Sequence, residues 1–392
     1  MPEKYVLNII ISCWLILCDM VYVVAIAILF SFALKHKFTS VCGFNDKRKY
    51  ISFAVLVCIA SFAYMLGSDT PEYVYFYNHL VPIEELRANI VEQYRYQPGF
   101  VVFCSAIKAV SDNYLVYQIF HALVVNIAIF RFCGKYSCNP YISLLAYVLI
   151  NYLEFNFEIQ RESLAVVCGL LFYEFYDKRK FLGSALFFVL AYFFHFSAIA
   201  ILLIPFLICI NPSNCNIFVV SFLSALAPWA WKVLPNAEAF LALSTDSEFY
   251  ANYINQELNI NYNIYYYLSF YVMNMGLPIV IIWVSKAKKP FYTNMVLIYV
   301  LFKMLSLFSY GFYRFSNYFV CFYWIALADT LPLICKNYKL NKSAVYLFIL
   351  SIVCYTNQTK MTWFDSETGK YIYQRYFPYE SVVFDDKSYI KR

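Results

Sequence analysis

Long apolar runs separated by short polar breaks make up most of this chain, and within each run the hydrophobicity is continuous rather than alternating. Continuity at these lengths predicts membrane-spanning helices, whereas a closed barrel would alternate residue by residue. Twelve candidate spans follow: 6–34, 50–66, 114–132, 140–155, 162–177, 181–194, 196–210, 217–234, 264–284, 291–309, 316–335 and 343–356. Basic clusters lie between them at Lys35/Lys37/Lys47/Arg48/Lys49, Arg131/Lys135, Lys178/Arg179/Lys180, Lys286/Lys288/Lys289 and Lys336/Lys339/Lys342. The positive-inside tendency places these clusters in the cytoplasm.

Parity then holds only if residues 98–110 do not cross. That run is short, opens with Pro98-Gly99 and carries Lys108, which suits a re-entrant or interfacial helix. The stretch around His195 is read as two short, tilted helices meeting at the histidine, because one span there would invert everything downstream. The expected fold is an all-α polytopic integral membrane protein of about twelve transmembrane helices plus one short re-entrant or interfacial helix. It forms a single domain over 1–356, with external loops 67–97 and 235–263 and an external aromatic tail, 357–392.

Composition narrows the class. The 392 residues are 62% hydrophobic, 21% aromatic and 14% charged, with a mean hydropathy of +0.59, which excludes a soluble domain. The first apolar run lacks a small-residue cleavage pattern and reads as a retained span. A net charge of +6 reflects lysine-rich loops that orient the chain, not a nucleic-acid surface. The thirteen cysteines are irregularly spaced without a CxxC pair, so they read as small apolar filler, not as a disulfide framework or metal site. Cytoplasmic loops leave no room for a nucleotide-binding domain. Energy must come from a gradient or an activated substrate, and no cofactor is expected.

Scarce charges carry the chemistry. Charge at membrane depth costs at least ~3 kcal/mol on insertion scales, so it is normally paired or functional. Asp69, Glu72, Arg161, His195 and Arg314 all fall on the external face of this topology. In Gly67-Ser68-Asp69-Thr70-Pro71-Glu72-Tyr73, Asp69 or Ser68 can cap the helix that begins near Pro71, or Asp69 can accept a proton from a sugar hydroxyl. Tyr73 and Tyr77 just beyond suit an interfacial belt or stacking on sugar rings. Arg161 opposes the orientation rule; it either pairs with Glu158 or Glu162, or points a guanidinium at phosphate. His195, among phenylalanines, is a hydrogen-bonded core residue or a general base of near-neutral pKa. Arg314, beside Tyr313, either packs on aromatic rings or binds phosphate or carboxylate. Asp19, Lys108, Lys232, Lys303 and Asp329 are the remaining intramembrane charges; they lack regular spacing and keep a transporter reading open.

Taken together, Gly67-Ser68-Asp69 with Tyr73, Pro98-Gly99-Phe100, Arg161 with Ala165, Phe194-His195-Phe196-Ser197-Ala198, Arg314 with Asn317-Tyr318-Phe319 and the terminal Tyr376-Phe377-Pro378-Tyr379 resemble the EpsG/Wzy family of bacterial polysaccharide (O-antigen and exopolysaccharide) polymerases. Gln97 departs from the pattern, since relatives often carry a carboxylate before the Pro-Gly. Any role of that acid falls here to Asp69, Glu72 or Glu92.

The resemblance implies a GT-C-like membrane glycosyltransferase facing the periplasm or exterior of the bacterial inner membrane. It would transfer a growing glycan from undecaprenyl diphosphate to the non-reducing end of a lipid-linked repeat unit. On that reading Arg161 and Arg314 bind the diphosphate, and His195 and Asp69 are catalytic. Glu72, Tyr73, Tyr77, Gln97 and Tyr313 are glycan-binding candidates. No metal is implied. Partners are the undecaprenyl-diphosphate-linked oligosaccharide, membrane lipid, a chain-length regulator and a repeat-unit flippase. The competing readings are a ligase using the same carrier and a lipid-linked oligosaccharide flippase or transporter, the latter disfavoured by the absence of an internal repeat.

Overall fold

Apolar runs become helices because nothing else satisfies every backbone amide locally, and they end where proline, glycine or charge interrupts them. The computed structural model describes residues 20–36, 43–44, 46–226, 268, 270–285, 290–307, 310–357, 362–364, 371–374, 376 and 379–383. The loop 235–263 and the basic cluster at 286–289 lie outside the described residues. By packing, the chain divides into two units, Met1–Ile199 with Cys335–Arg392, and Ala200–Ile334, where the sequence suggests a single domain.

The first unit contains α1 (Met20–Lys35), α2 (Arg48–Phe62), α3 (Thr70–His79), α4 (Ala88–Val91), α5 (Pro98–Lys108), α6 (Tyr114–Tyr136), α7 (Pro140–Ile150), a π-helical turn (Glu154–Glu158), α8 (Gln160–Asp177) and α9 (Phe181–Phe194). Side-chain pairings set the directions. Gln118 Nε2 donates to the carbonyls of Ala60 (2.9 Å) and Ala63 (2.8 Å), while Phe53 meets Phe130 edge-on, so α2 and α6 run antiparallel. Those carbonyls at the end of α2 lack helical partners, and Gln118 supplies them. His121 reaches Ser163 at one end and Arg131 grips Glu174 through two bonds of 2.8 and 2.7 Å at the other, so α6 and α8 run parallel with α7 returning between them. Basic residues Arg131, Lys135 and Lys178 therefore gather on one end of the unit. Arg161 lies at the opposite end, where α8 begins.

A C-terminal segment closes over that end. Tyr64 N–H donates to Glu380 O (2.8 Å), Val382 N–H to Phe62 O (3.1 Å), and Ala63 bridges Ser381 in antiparallel fashion. Tyr379 Oη donates to Ile59 O at 2.9 Å. Upstream, Thr362–Phe364 and Tyr371–Gln374 pair as an antiparallel hairpin, a departure from an all-helical chain that suits their β-branched and aromatic residues.

The second unit holds α10 (Leu203–Cys209), α11 (Asn214–Leu226), a second π turn (Val272–Gly276), α12 (Leu277–Ser285), α13 (Pro290–Leu305), α14 (Tyr310–Asn317) and all but the last turn of α15 (Val320–Asn337). Asn294 Nδ2 donates to Leu207 O (2.9 Å) and Ile210 O (2.6 Å), tying α13 to the end of α10. The chain then returns to the first unit through α16 (Lys342–Asn357), which packs on α7.

The twelve expected spans are not established by helix length. Among the described residues, Tyr114–Tyr136 alone is long and apolar enough to cross a bilayer unaided. The pair Gly311–Asn317 and Val320–Asn337, bent by 50°, passes together. Other apolar helices have 10–17 residues. Local chemistry shortens them: Pro98 starts α5 late, α7 stops at Ile150 where Asn151 leaves helical geometry ahead of the π turn, and Arg161, Glu162, Glu174 and Asp177 load α8 with charge.

Candidate functional site

Two close backbone approaches assemble this end of the first unit. The exit from α2 turns through Met65 (φ 50°) and Gly67 (φ 88°), both left-handed, where glycine is the natural choice. A Cβ on Gly67 would stand 2.8 Å from Phe157 O, so the loop lies directly on the π turn. At the start of α5, a Cβ on Gly99 would stand 2.7 Å from Phe193 O. That contact sets the Gln97-Pro98-Gly99 corner against the end of α9, two residues before His195.

Glu158 fastens the first loop. Its carboxylate is 2% exposed as a residue, and Oε1 accepts from both Ser68 N–H and Ser68 Oγ–H at 3.1 Å. Thr70 Oγ1 adds bonds to Leu66 O and to Phe157 O, the latter at 2.7 Å. Asp69 occupies the N-cap position of α3, yet its side chain makes no capping bond. Its Oδ1 instead accepts from Ser68 Oγ at 3.1 Å. The capping role that the sequence allows Asp69 is not the one its carboxylate performs.

Arg161 makes neither of the ion pairs open to it in the sequence. No carboxylate of the described residues is within 4.0 Å of its guanidinium. Nη1 donates to Gln97 Oε1 at 3.0 Å, the guanidinium carbon sits 4.4 Å from the Tyr96 ring centroid, and Nε is shut away from solvent with no acceptor among the described residues. A neutral amide and an aromatic face orient the cation, and no carboxylate of the described residues compensates its charge. Burial, with Tyr73 beside it, pushes the Tyr96 phenol above its ordinary pKa, so this ring stays neutral. Gln160 braces the start of α8 from below, accepting from Tyr117 Oη (2.9 Å) and Tyr114 Oη (3.2 Å).

His195 is placed differently from a free base. It sits in extended backbone after α9, is 2% exposed, and stacks on Phe196. Ser197 N–H donates to its Nδ1 at 3.2 Å, and Ser197 Oγ lies 2.6 Å from the same nitrogen. A backbone donor fixes Nδ1 as the acceptor and assigns the proton to Nε2 in the neutral ring. The lone pair a base needs is used in starting the 3-10 segment Phe196–Leu202.

The aromatic candidates divide likewise. Tyr73 and Tyr77 are buried, Tyr73 against Tyr96 and Phe100, and Tyr77 with Oη donating to Ser111 O at 2.8 Å. Neither offers a ring face to a sugar. Glu72 remains exposed and reaches Arg95 only at 4.0 Å, a pair worth about 0–1 kcal/mol. Arg314 and Tyr313 belong to the second unit, on α14. There Tyr313 is buried beneath Lys303, whose Nζ lies 4.0 Å from the ring centroid, and Phe302 packs on Phe312, Phe315 and Phe319.

In the first unit Glu158 holds the Asp69 loop, Gln97 and Tyr96 hold Arg161, and Gly99 abuts Phe193 just before His195; Ser68, Tyr96, Glu158 and Gln160 carry contacts here that residue type alone does not signal. One signal could have found Glu158: Glu154, Glu158 and Glu162 recur every fourth residue inside an apolar stretch, and all three are buried. Among the described residues no group of three histidine, cysteine or acidic side chains converges to hold a metal ion.

A model of the EpsG family matches residues 49–381. No curated protein and no solved structure matches the chain.

Proposed function

We propose, from the premise that this chain belongs to the EpsG family of Wzy-type polysaccharide polymerases, that it extends a glycan carried on undecaprenyl diphosphate at the external face of the inner membrane. The growing chain passes from its carrier to the non-reducing end of a new lipid-linked repeat unit. One observation supports the reading above the others: a guanidinium held by Gln97 and Tyr96 that no carboxylate of the described residues pairs with, on the helix that follows the π turn where Glu158 fastens the Asp69 loop.

The chemistry follows from charge. The sugar–diphosphate bond is already activated, so no nucleotide is needed. Arg161 stabilises the negative charge that grows on the departing diphosphate, and a preorganised donor of this kind is typically worth ~2.7–4 kcal/mol, or about 10²–10³ in rate. Asp69, free of capping duty, takes the acceptor hydroxyl proton. Direct displacement inverts the anomeric centre. His195 fixes the break between α9 and the 3-10 segment and so positions the Gly99 corner. Arg314 is a second candidate for the lipid diphosphate. The repeat-unit flippase and a chain-length regulator are the expected partners.

Surface-glycan gels test this. Deletion of the gene should leave lipid cores capped by a single repeat unit, and Arg161→Ala at matched expression should do the same. Loss of the single-unit caps as well would favour transport or ligation instead.

A further inference from the structure

Ser68 has one hydroxyl hydrogen and two carboxylates competing for it. Its Oγ lies 3.1 Å from Asp69 Oδ1 and 3.1 Å from Glu158 Oε1, while its backbone N–H separately holds Glu158 at 3.1 Å. The loop is already tied to Glu158 by the backbone bond and by Thr70 on Phe157 O. The hydroxyl does something further: it joins a half-buried carboxylate at the loop surface to a fully buried one behind it. Such a line can carry one proton inward without moving any heavy atom.

We propose that Ser68 and Glu158 act through Asp69 as positioning residues for its proton, drawing it off the reacting carboxylate during glycosyl transfer. The inference rests on Asp69 as the base. As the acceptor oxygen bonds to the anomeric carbon, its proton passes to Asp69. The carbon–oxygen bond to the diphosphate breaks, and the bonding pair leaves with the lipid diphosphate. Asp69 then returns a proton to Ser68 Oγ as Ser68 gives its own to Glu158 Oε1. The step ends with Asp69 ionised, Ser68 a hydroxyl and Glu158 neutral, and the reverse path delivers the proton to water at the exposed Ser68 before the next turnover.

A purely structural tie predicts different mutants from a proton path. Ser68→Ala keeps the backbone bond to Glu158, and Glu158→Gln keeps an oxygen acceptor for it, so each preserves the loop while interrupting the path. The assay supplies the protein with membranes from a gene-deleted strain, which accumulate the lipid-linked repeat unit, and reads kcat and KM for chain extension. Both variants should lose about 10-fold or more in kcat, less than the ~10²–10⁴ of a group that itself exchanges the proton with substrate, with KM changed less than about twofold, and Ser68→Thr should recover most of the rate. Wild-type kcat in Ser68→Ala while Asp69→Asn is inactive would overturn the relay and leave the base standing. Wild-type kcat in Asp69→Asn would overturn the base itself, and the relay with it. Loss in Glu158→Gln alone, with Ser68→Ala at full rate, would reduce Glu158 to a tether and also overturn the relay.

Discussion

Replacing Gly99 by alanine sets two effects of opposite sign against each other. Gly99 lies in the first turn of α5, where alanine should favour the helix by up to ~1 kcal/mol on propensity. The added methyl, however, would stand 2.7 Å from Phe193 O, 2.8 Å from Phe193 C and 3.0 Å from Phe193 Cβ. Two of these are backbone atoms with no rotamer to yield, so α5 and the end of α9 must separate by about 0.7 Å to restore ordinary contact. Overpacking on this scale costs ~1–3 kcal/mol, which outweighs the propensity gain. The shift acts on Gln97, two residues away, whose 3.0 Å bond to Arg161 has little slack. Since a 1 Å misplacement can cost about 10²-fold in rate, Gly99→Ala should slow chain extension by roughly 10–100-fold. It should also lower the melting temperature of the purified protein by a few degrees. Gly276→Ala is the control, because among the described residues its methyl would meet only Tyr271 O, at an ordinary 3.8 Å. A Gly99→Ala protein with raised melting temperature and wild-type ladders would refute the close-approach argument and leave propensity in command.

Three further outcomes are expected. His195→Asn should keep most polymer length, because the amide oxygen can accept the Ser197 N–H, whereas His195→Ala should lose it; equal loss in both on a glycan gel would restore His195 as the base. Arg161→Lys should lose about 10-fold or more in extension rate, since an ammonium cannot reproduce the planar fork, and Tyr96→Leu should lose less, in line with a cation–π contribution of ~0.5–2 kcal/mol. At the basic end of the unit, the Arg48 guanidinium beside Asp46, with the Tyr141 hydroxyl, holds its carboxyl at about 2. A depressed carboxylate stabilises the fold above its unfolded pKa, and that contribution disappears as pH falls from about 4 to about 2. Asp46→Ala should therefore destabilise the purified protein by ~1–2 kcal/mol at neutral pH, after allowing for partial exposure, with the gap to wild type closing below about pH 4 in thermal melts.

What the sequence reveals are the features written in adjacent residues. Pro98-Gly99 announces the short helix, Gly67 the sharp exit, and the polar break at His195 the end of α9. Arg161 is conspicuous because it opposes the charge bias of the loops. What stays hidden is what depends on distant pairing. Ser68 and Glu158 are 90 positions apart, and nothing local says that one carboxylate will hold that loop. The Gly99–Phe193 contact and the Glu380–Val382 strap on Phe62–Tyr64 are equally non-local. Hydropathy also overstates helix length, because it averages across the π turn and the charges of α8 that the backbone resolves individually. His195 is the opposite case: residue type suggests a base, and only geometry shows Nδ1 engaged by the following turn.

Glycan extension by this chain alone can be measured by reconstituting the purified protein in liposomes containing the lipid-linked repeat unit, with no nucleotide sugar and no other protein. A polymerase should build a ladder of longer lipid-linked glycans with release of undecaprenyl diphosphate, both abolished or cut at least about 100-fold by Arg161→Ala. Wild-type protein that leaves the repeat unit unextended, or Arg161→Ala that extends it at the wild-type rate, would contradict the proposed function.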